Sequence, residues 1–199
     1  PLLEEQAADP DAKIMILCSP HNPVGRVWTK EELARVGEIC KKNNVLVIAD
    51  EIHSDLVYAG YVHTPFALAS DAPHLLCTSL GKTFNVAGLR LANIFSSSAE
   101  LKKQYDQEID AYSYSASNTF GLEMVQAAYS PEGEAWLEEL LVYLQGNVEV
   151  VSEWCQKHNV GFTAPQGTFL CWLDLGSAGL TDEEIIKKII MGKEVICVP

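Results

Sequence analysis

Along the first half of the chain, short apolar runs alternate with loops and amphipathic stretches. Residues 13–18 (Lys-Ile-Met-Ile-Leu-Cys) are almost wholly apolar and stop at Ser19-Pro20, a pattern that predicts a strand buried on both faces. Pro20, Asn22, Pro23 and Gly25 then mark a loop. Thr29, with Glu32 three residues later, forms a capping box. Leu33, Val36, Ile39 and Cys40 come next at helical spacing, and Lys41-Lys42-Asn43-Asn44 closes the helix. A second apolar run, residues 45–49, ends at Asp50-Glu51. Strand, loop, helix, strand is a βαβ unit, which implies a parallel sheet. Runs at 75–80 and 91–95 could add strands to it, with 81–90 as a polar, glycine-flanked connection.

Beyond Ser117 the texture turns helical. Residues 120–128 read as a helix, Ser130-Pro131-Glu132-Gly133 as a turn, and 134 to about 158 as a long helix. Trp136, Leu137, Leu140, Leu141, Leu144, Val148, Val151, Trp154 and Cys155 keep a period near 3.6. Gly146 interrupts that helix and is read as a bend between two domains, residues 1–145 and 146–199. Residues 160–164 and 168–173 read as strands around Pro165-Gln166-Gly167. A second capping box, Thr181 with Glu184, opens a helix carrying Ile185, Ile186, Ile189 and Ile190 up to Gly192, and 194–198 begins another strand.

Composition narrows the classes. The 199 residues are 48% hydrophobic and 21% charged, which suits a globular protein rather than a disordered one. With 14 Lys+Arg against 27 Asp+Glu, a formal charge of −13 leaves no basic surplus for nucleic acid. The six cysteines include no C-x-x-C pair and sit mostly in apolar runs, so a reducing, cytoplasmic compartment is expected. No apolar run approaches membrane-spanning length, and no membrane partner is expected. The chain lacks G-x-G-x-x-G, G-x-x-x-x-G-K-[ST], H-E-x-x-H and G-x-S-x-G. Its five histidines have no ligand spacing, so no metal site is expected.

Three polar clusters, residues 21–26, 50–55 and 79–90, succeed or straddle predicted strand ends. Ligands of open α/β sheets bind beyond the carboxyl ends of the strands. The clusters hold Asn22, Asp50, His53, Ser79, Lys82 and Arg90. Singly, each has an ordinary structural explanation: turn residue, helix cap, solvated cation or surface ion pair. Together, Ser19-Pro20-His21-Asn22-Pro23-Val24-Gly25-Arg26-Val27-Trp28, Asp50-Glu51-Ile52-His53-Ser54-Asp55-Leu56 and Ser79-x-x-Lys82-Thr83-Phe84-Asn85-x-Ala87-Gly88-Leu89-Arg90 resemble the pyridoxal-phosphate enzymes of the class I/II aminotransferase superfamily. The wording is most similar to the cystathionine β-lyase-like, carbon–sulfur lyase branch, as are His63-Thr64-Pro65-Phe66 and the run from Gly167 to Asp174.

The resemblance implies a partial fold type I architecture. Residues 1–145 would be the C-terminal portion of a large, mostly parallel cofactor domain, and 146–199 an incomplete small α+β domain. Lys82 would carry the cofactor aldehyde and move the substrate Cα proton, a task for a partly desolvated amine. Asp50 would face the pyridine nitrogen and favour its protonation. Asn22 would donate to the ring's phenolic oxygen, while Ser79 and Arg90 would hold the phosphate. His53 stands where many aminotransferases have a tyrosine, which favours the lyase branch; it would either touch the cofactor or support it from nearby. Gly81 replaces a serine common in relatives, removing one phosphate contact.

The resemblance also implies groups outside residues 1–199: a phosphate-cradling loop, a ring-stacking aromatic and a carboxylate-binding arginine. The expectation is therefore a piece of a longer, homodimeric enzyme, inactive by itself. The expected reaction is β-elimination from a small amino-acid substrate, a cysteine-S-conjugate such as cystathionine, giving thiol, pyruvate and ammonia. Transamination on the same site is the alternative, and a non-catalytic regulatory or interaction role ranks below both.

Overall fold

The computed structural model describes residues 1–114, 118–179 and 181–187. Helix α1 (Leu2–Ala7) leads into strand β1 (Ile14–Cys18), helix α2 (Lys30–Lys42) and strand β2 (Leu46–Asp50). Next are one-turn helix α3 (Phe66–Ala69), strand β3 (His74–Thr78), one-turn helix α4 (Leu80–Thr83) and strand β4 (Asn93–Ser96). Helices α5 (Ala99–Ala111), α6 (Thr119–Ala128) and α7 (Pro131–His158) come after them. Strands β5 (Gly161–Thr163) and β6 (Trp172–Asp174) and helix α8 (Asp182–Ile185) complete the described chain.

The predicted βαβ unit is present. Strands β1, β2 and β3 are parallel neighbours, and β4 pairs antiparallel with β3, giving one four-stranded sheet in the order β1-β2-β3-β4. Helix α2 begins at the predicted capping box: the Glu32 amide donates to Thr29 Oγ1 and the Thr29 amide to Glu32 Oε2. Its inner face packs Leu33, Val36, Ile39 and Cys40 against Leu17, Val47, Ala49 and Leu76 of the sheet, with Phe66 of α3 beside them. These side chains leave water almost completely, the main favourable term in folding.

Burial of β1 on both faces is not observed. Ile14 and Ile16 are 57% and 72% exposed. The register aligns Ile16, Ile48 and Leu75 on that same face, whereas Leu17, Val47, Ala49 and Leu76 belong to the opposite, packed face. The apolar run thus reflects two apolar faces, of which the described chain covers one.

Four other expectations change. Residues 81–90 are not a plain connection but contain α4 and a 3-10 turn, Ala87–Leu89. Helix α7 starts at Pro131 rather than 134, because Ser130 caps it by accepting from the Gly133 amide and proline suits a first helical position. It continues as one helix through Gly146 to His158. The second C-terminal strand is shorter than expected and starts at Trp172, because Thr168 is drawn away: its amide donates to the Leu56 carbonyl and its φ is 68°. The capping box at Thr181 and Glu184 is present. Ile189, Ile190, Gly192, Cys197 and the strand expected at 194–198 lie outside the described residues.

Helix α2 approaches the end of α3 so closely that a Cβ on Gly37 would lie 1.9 Å from Ser70 Oγ and 2.5 Å from Ser70 Cβ. Gly37→Ala should therefore lower stability by about 1–3 kcal/mol through overpacking, despite alanine's better helix propensity. Denaturant unfolding would show this, and a Gly37→Ala/Ser70→Gly pair should recover most of the loss. A single variant as stable as the parent would contradict the tight contact.

Candidate active site

Parallel pairing brings three strand ends to one edge. Cys18 registers with Asp50, and Asp50 with Cys77, so the segments leaving the three strands emerge side by side. After β1 the chain turns through a loop closed by the His21 amide on the Arg26 carbonyl and the Gly25 amide on the His21 carbonyl, both 2.7 Å. Asn22 rides exposed on that loop, and its side-chain amide has no hydrogen-bond partner among the described residues. The loop is clamped from far along the chain: the Val27 amide donates to Gln166 Oε1 at 2.7 Å, and the Gln166 amide to the Gly25 carbonyl at 2.8 Å.

Strand β2 ends on Asp50, with Glu51 and His53 just beyond it. Asp50 is half-buried, and Oδ1 accepts only a long bond, 3.4 Å, from the Ile52 amide. Glu51 is buried and fully engaged, accepting from the Phe66 amide at 2.7 Å and pairing with His63 Nε2 at 2.9 Å. A buried carboxylate needs such partners, and these two tie the 51–66 segment to the end of β2. His53 is also buried, yet neither ring nitrogen has a hydrogen-bond partner among the described residues. Its ring meets Phe169 edge-on at 5.5 Å. Burial pushes the imidazole below its ordinary pKa, the Lys82 charge adds to that, and Asp50 partly opposes it. Asp50, His53 and Lys82 are therefore close enough to share one electrostatic environment.

After β3, Ser79 caps α4. Its Oγ accepts from the Gly81 amide at 3.0 Å and donates to the Leu91 carbonyl at 2.7 Å. The hydroxyl proton is thus already engaged, and only a lone pair and a rotated hydroxyl remain for a ligand. Lys82 projects from α4 between buried Gly81 and Thr83, itself half-buried and without an ion pair among the described residues. Gly81 allows α4 to fold back on the 3-10 turn, since a Cβ there would sit 3.1 Å from Ser79 Oγ and 3.3 Å from Ala87 Cα. Arg90 ends that turn in the left-handed region, φ 51°, exposed and unpaired among the described residues. No hydrogen bond joins the six predicted side chains to one another.

The arrangement collects an unpaired amine, a weakly bonded carboxylate, an unpartnered imidazole, a free amide and an unpaired guanidinium along one strand-end edge. Such a set suits an acidic ligand with an electrophilic carbon. Two supports carry no signal in the sequence: the Glu51 lock onto His63 and Phe66, and the acceptance by Asp55 Oδ2 of Thr83 Oγ1 at 2.8 Å and Tyr129 OH at 3.3 Å. Among the described residues no cluster of metal-ligating side chains occurs.

The family described as aminotransferase class I and II matches residues 1–199. The chain is 35% identical to cystathionine beta-lyase PatB of Bacillus subtilis (strain 168), over 99% of this chain and 52% of that protein. It is 34% identical to Protein MalY of Escherichia coli (strain K12), over 99% and 51%. Cystalysin from Treponema denticola, whose crystal structure contains a pyridoxal 5'-phosphate cofactor, superposes with a TM-score of 0.92 at 29% identity, covering 98% of this chain and 50% of that one. The PLP-bound C-S lyase from Staphylococcus hominis gives a TM-score of 0.83 at 32% identity, covering 94% and 49%. The chain spans about half the length of the curated relatives it matches.

The depressed pKa of His53 has a stability consequence. The unfolded chain binds a proton near pH 6.5 more readily than the folded one, so the contribution is present above that pH and lost as pH falls below it. Denaturant titrations between about pH 7 and pH 5 should show a smaller loss for His53→Asn than for the parent. Equal slopes would contradict a buried, neutral imidazole.

Proposed function

The chain belongs to the aminotransferase class I and II family, and on that premise we propose that it is part of a pyridoxal-phosphate-dependent carbon–sulfur β-lyase. Its substrate would be a cysteine-S-conjugate of the cystathionine type, cleaved to a thiol, pyruvate and ammonia. One observation carries the reading: the Lys82 amine, half-buried and without an ion pair among the described residues, stands just past β3, beside the end of parallel β2 where Asp50 and His53 lie. The C-S lyase and cystathionine beta-lyase identities of the relatives support the branch.

The residues present fit the cofactor in their chemistry. Lys82, half-buried on α4, would be the nucleophile for its aldehyde. Asp50 would stand opposite the ring nitrogen and favour its protonated form, a role for which its carboxylate is only weakly committed. Asn22 would donate to the phenolic oxygen, and Arg90, with Ser79 after rotation of its hydroxyl, would hold the phosphate. Neutral His53 would support the ring from its buried position beside Lys82 and Asp50. When bound, pyridoxal phosphate supplies the electron sink that makes the substrate Cα proton removable. Lys82 would take that proton, and the Cα–H electrons would form a Cα–Cβ double bond as the Cβ–S pair leaves on sulfur. The thiolate would take up a proton, and water would hydrolyse the released enamine, through its imine, to pyruvate and ammonia.

Residues 1–145 would serve as the cofactor domain and 146–199 as part of the small domain; β5 and β6 form a two-stranded sheet of their own past Gly146. The enzyme would be a cytoplasmic homodimer, in keeping with the free cysteines among the described residues. Residues 1–199 would be inactive alone, a reading supported by the half-length coverage of relatives and by the open face of Ile14 and Ile16.

The full-length protein with cofactor should release pyruvate from cystathionine without an added keto acid. Lys82→Ala should lower that release by about 10²–10⁴-fold, and residues 1–199 alone should release none. Keto-acid formation that depends on a second amino acceptor would instead establish transamination.

A further inference from the structure

Helix α4 is a single turn, Leu80–Thr83, too short to be rigid through its own backbone bonds. Lys82 must nevertheless hold one position, since misplacing a reacting amine by an ångström costs rate steeply. The next two residues in the chain supply the anchorage. Thr83 is 1% exposed, and its hydroxyl donates to Asp55 Oδ2 at 2.8 Å. Phe84 stacks on Trp136 of α7 at 5.4 Å and meets Tyr129 edge-on at 6.1 Å. Tyr129, at the end of α6, donates its hydroxyl to the same Asp55 oxygen at 3.3 Å. Thr83 directly, and Phe84 through Tyr129, thus connect the lysine turn to one carboxylate, beside the separate stack of Phe84 on Trp136.

We propose that Asp55 is the positioning residue for Lys82, joining the lysine turn through Thr83 to the α6–α7 corner through Tyr129. The proposal rests on the reading of Lys82 as the cofactor lysine. Asp55 lies in the segment that leaves β2 at Asp50 and carries His53, so one stretch of chain would both face the cofactor ring and aim the amine that captures it. Burial and the Asp55 charge push the Tyr129 phenol up to about 12, which keeps it a donor across the working range. Charge-assisted bonds of this kind are stronger than neutral ones, and Oδ2 accepts both, so losing the carboxylate frees the Thr83 and Tyr129 hydroxyls together.

The test monitors capture of pyridoxal phosphate by the full-length protein, read as growth of the visible band of lysine-bound cofactor and as its circular dichroism. Thr83→Val and Asp55→Ala should each slow capture about tenfold and weaken the dichroism, while Thr83→Ser restores both. The double variant should be no slower than Asp55→Ala alone, because the two act through one contact. Unfolding midpoints accompany each measurement; if Asp55→Ala does not fold, the Val and Ser variants at Thr83 decide. Parent-like capture and dichroism in Thr83→Val would overturn the proposal with the Lys82 reading intact. A parent protein that shows no such band would overturn that reading, and the proposal with it.

Discussion

Everything at the candidate site depends on the parallel register of β1, β2 and β3. Pairing Cys18 with Asp50 and Asp50 with Cys77 brings three chain segments, distant in sequence, out at one edge. A shift by one residue would turn every side chain to the other face, moving Asp50 with them. The register is held by burial rather than by the polar residues: Leu17, Val47, Ala49 and Leu76 share the face that α2 covers. The site is a consequence of apolar packing on the far side of the sheet.

On that base the chain divides its polar groups into two kinds. Glu51, Asp55, Ser79 and Gln166 have their bonds satisfied within the protein and fix the loops. Asn22, Lys82 and Arg90 make no such commitments, and buried His53 has none for either ring nitrogen. Unpartnered buried polar atoms are costly in a folded protein, and their cost is tolerated where a ligand supplies the missing partner. Adjacent residues show the division plainly: Asp50 nearly free and Glu51 saturated, Lys82 unpaired and Thr83 bonded.

Local signals are the ones legible in the sequence. The capping boxes at Thr29 and Thr181, the first two strands and their connecting helix all depend on neighbours within a few residues, and each is present. Ser130-Pro131 reads as a turn because the same residues also start a helix. Strand 168–173 is shorter in the fold because Thr168 bonds Leu56, a partner more than a hundred positions away. The motif residues can be named because chemistry constrains their spacing. The bonds of Asp55 to Thr83 and Tyr129, and of Gln166 to the Asn22 loop, leave no periodic trace, since they link elements that only folding brings together. The open face of Ile14 and Ile16 is equally hidden, because an apolar strand reads alike whether its second face is covered or not.

The central claim is that Lys82 is the amine this site offers to an aldehyde. The most direct measurement loads the full-length protein with pyridoxal phosphate, reduces it with borohydride and maps the modified peptide by mass spectrometry. The account predicts one stoichiometric adduct, on Lys82. A parent protein modified at other lysines alone, or not at all, would contradict it.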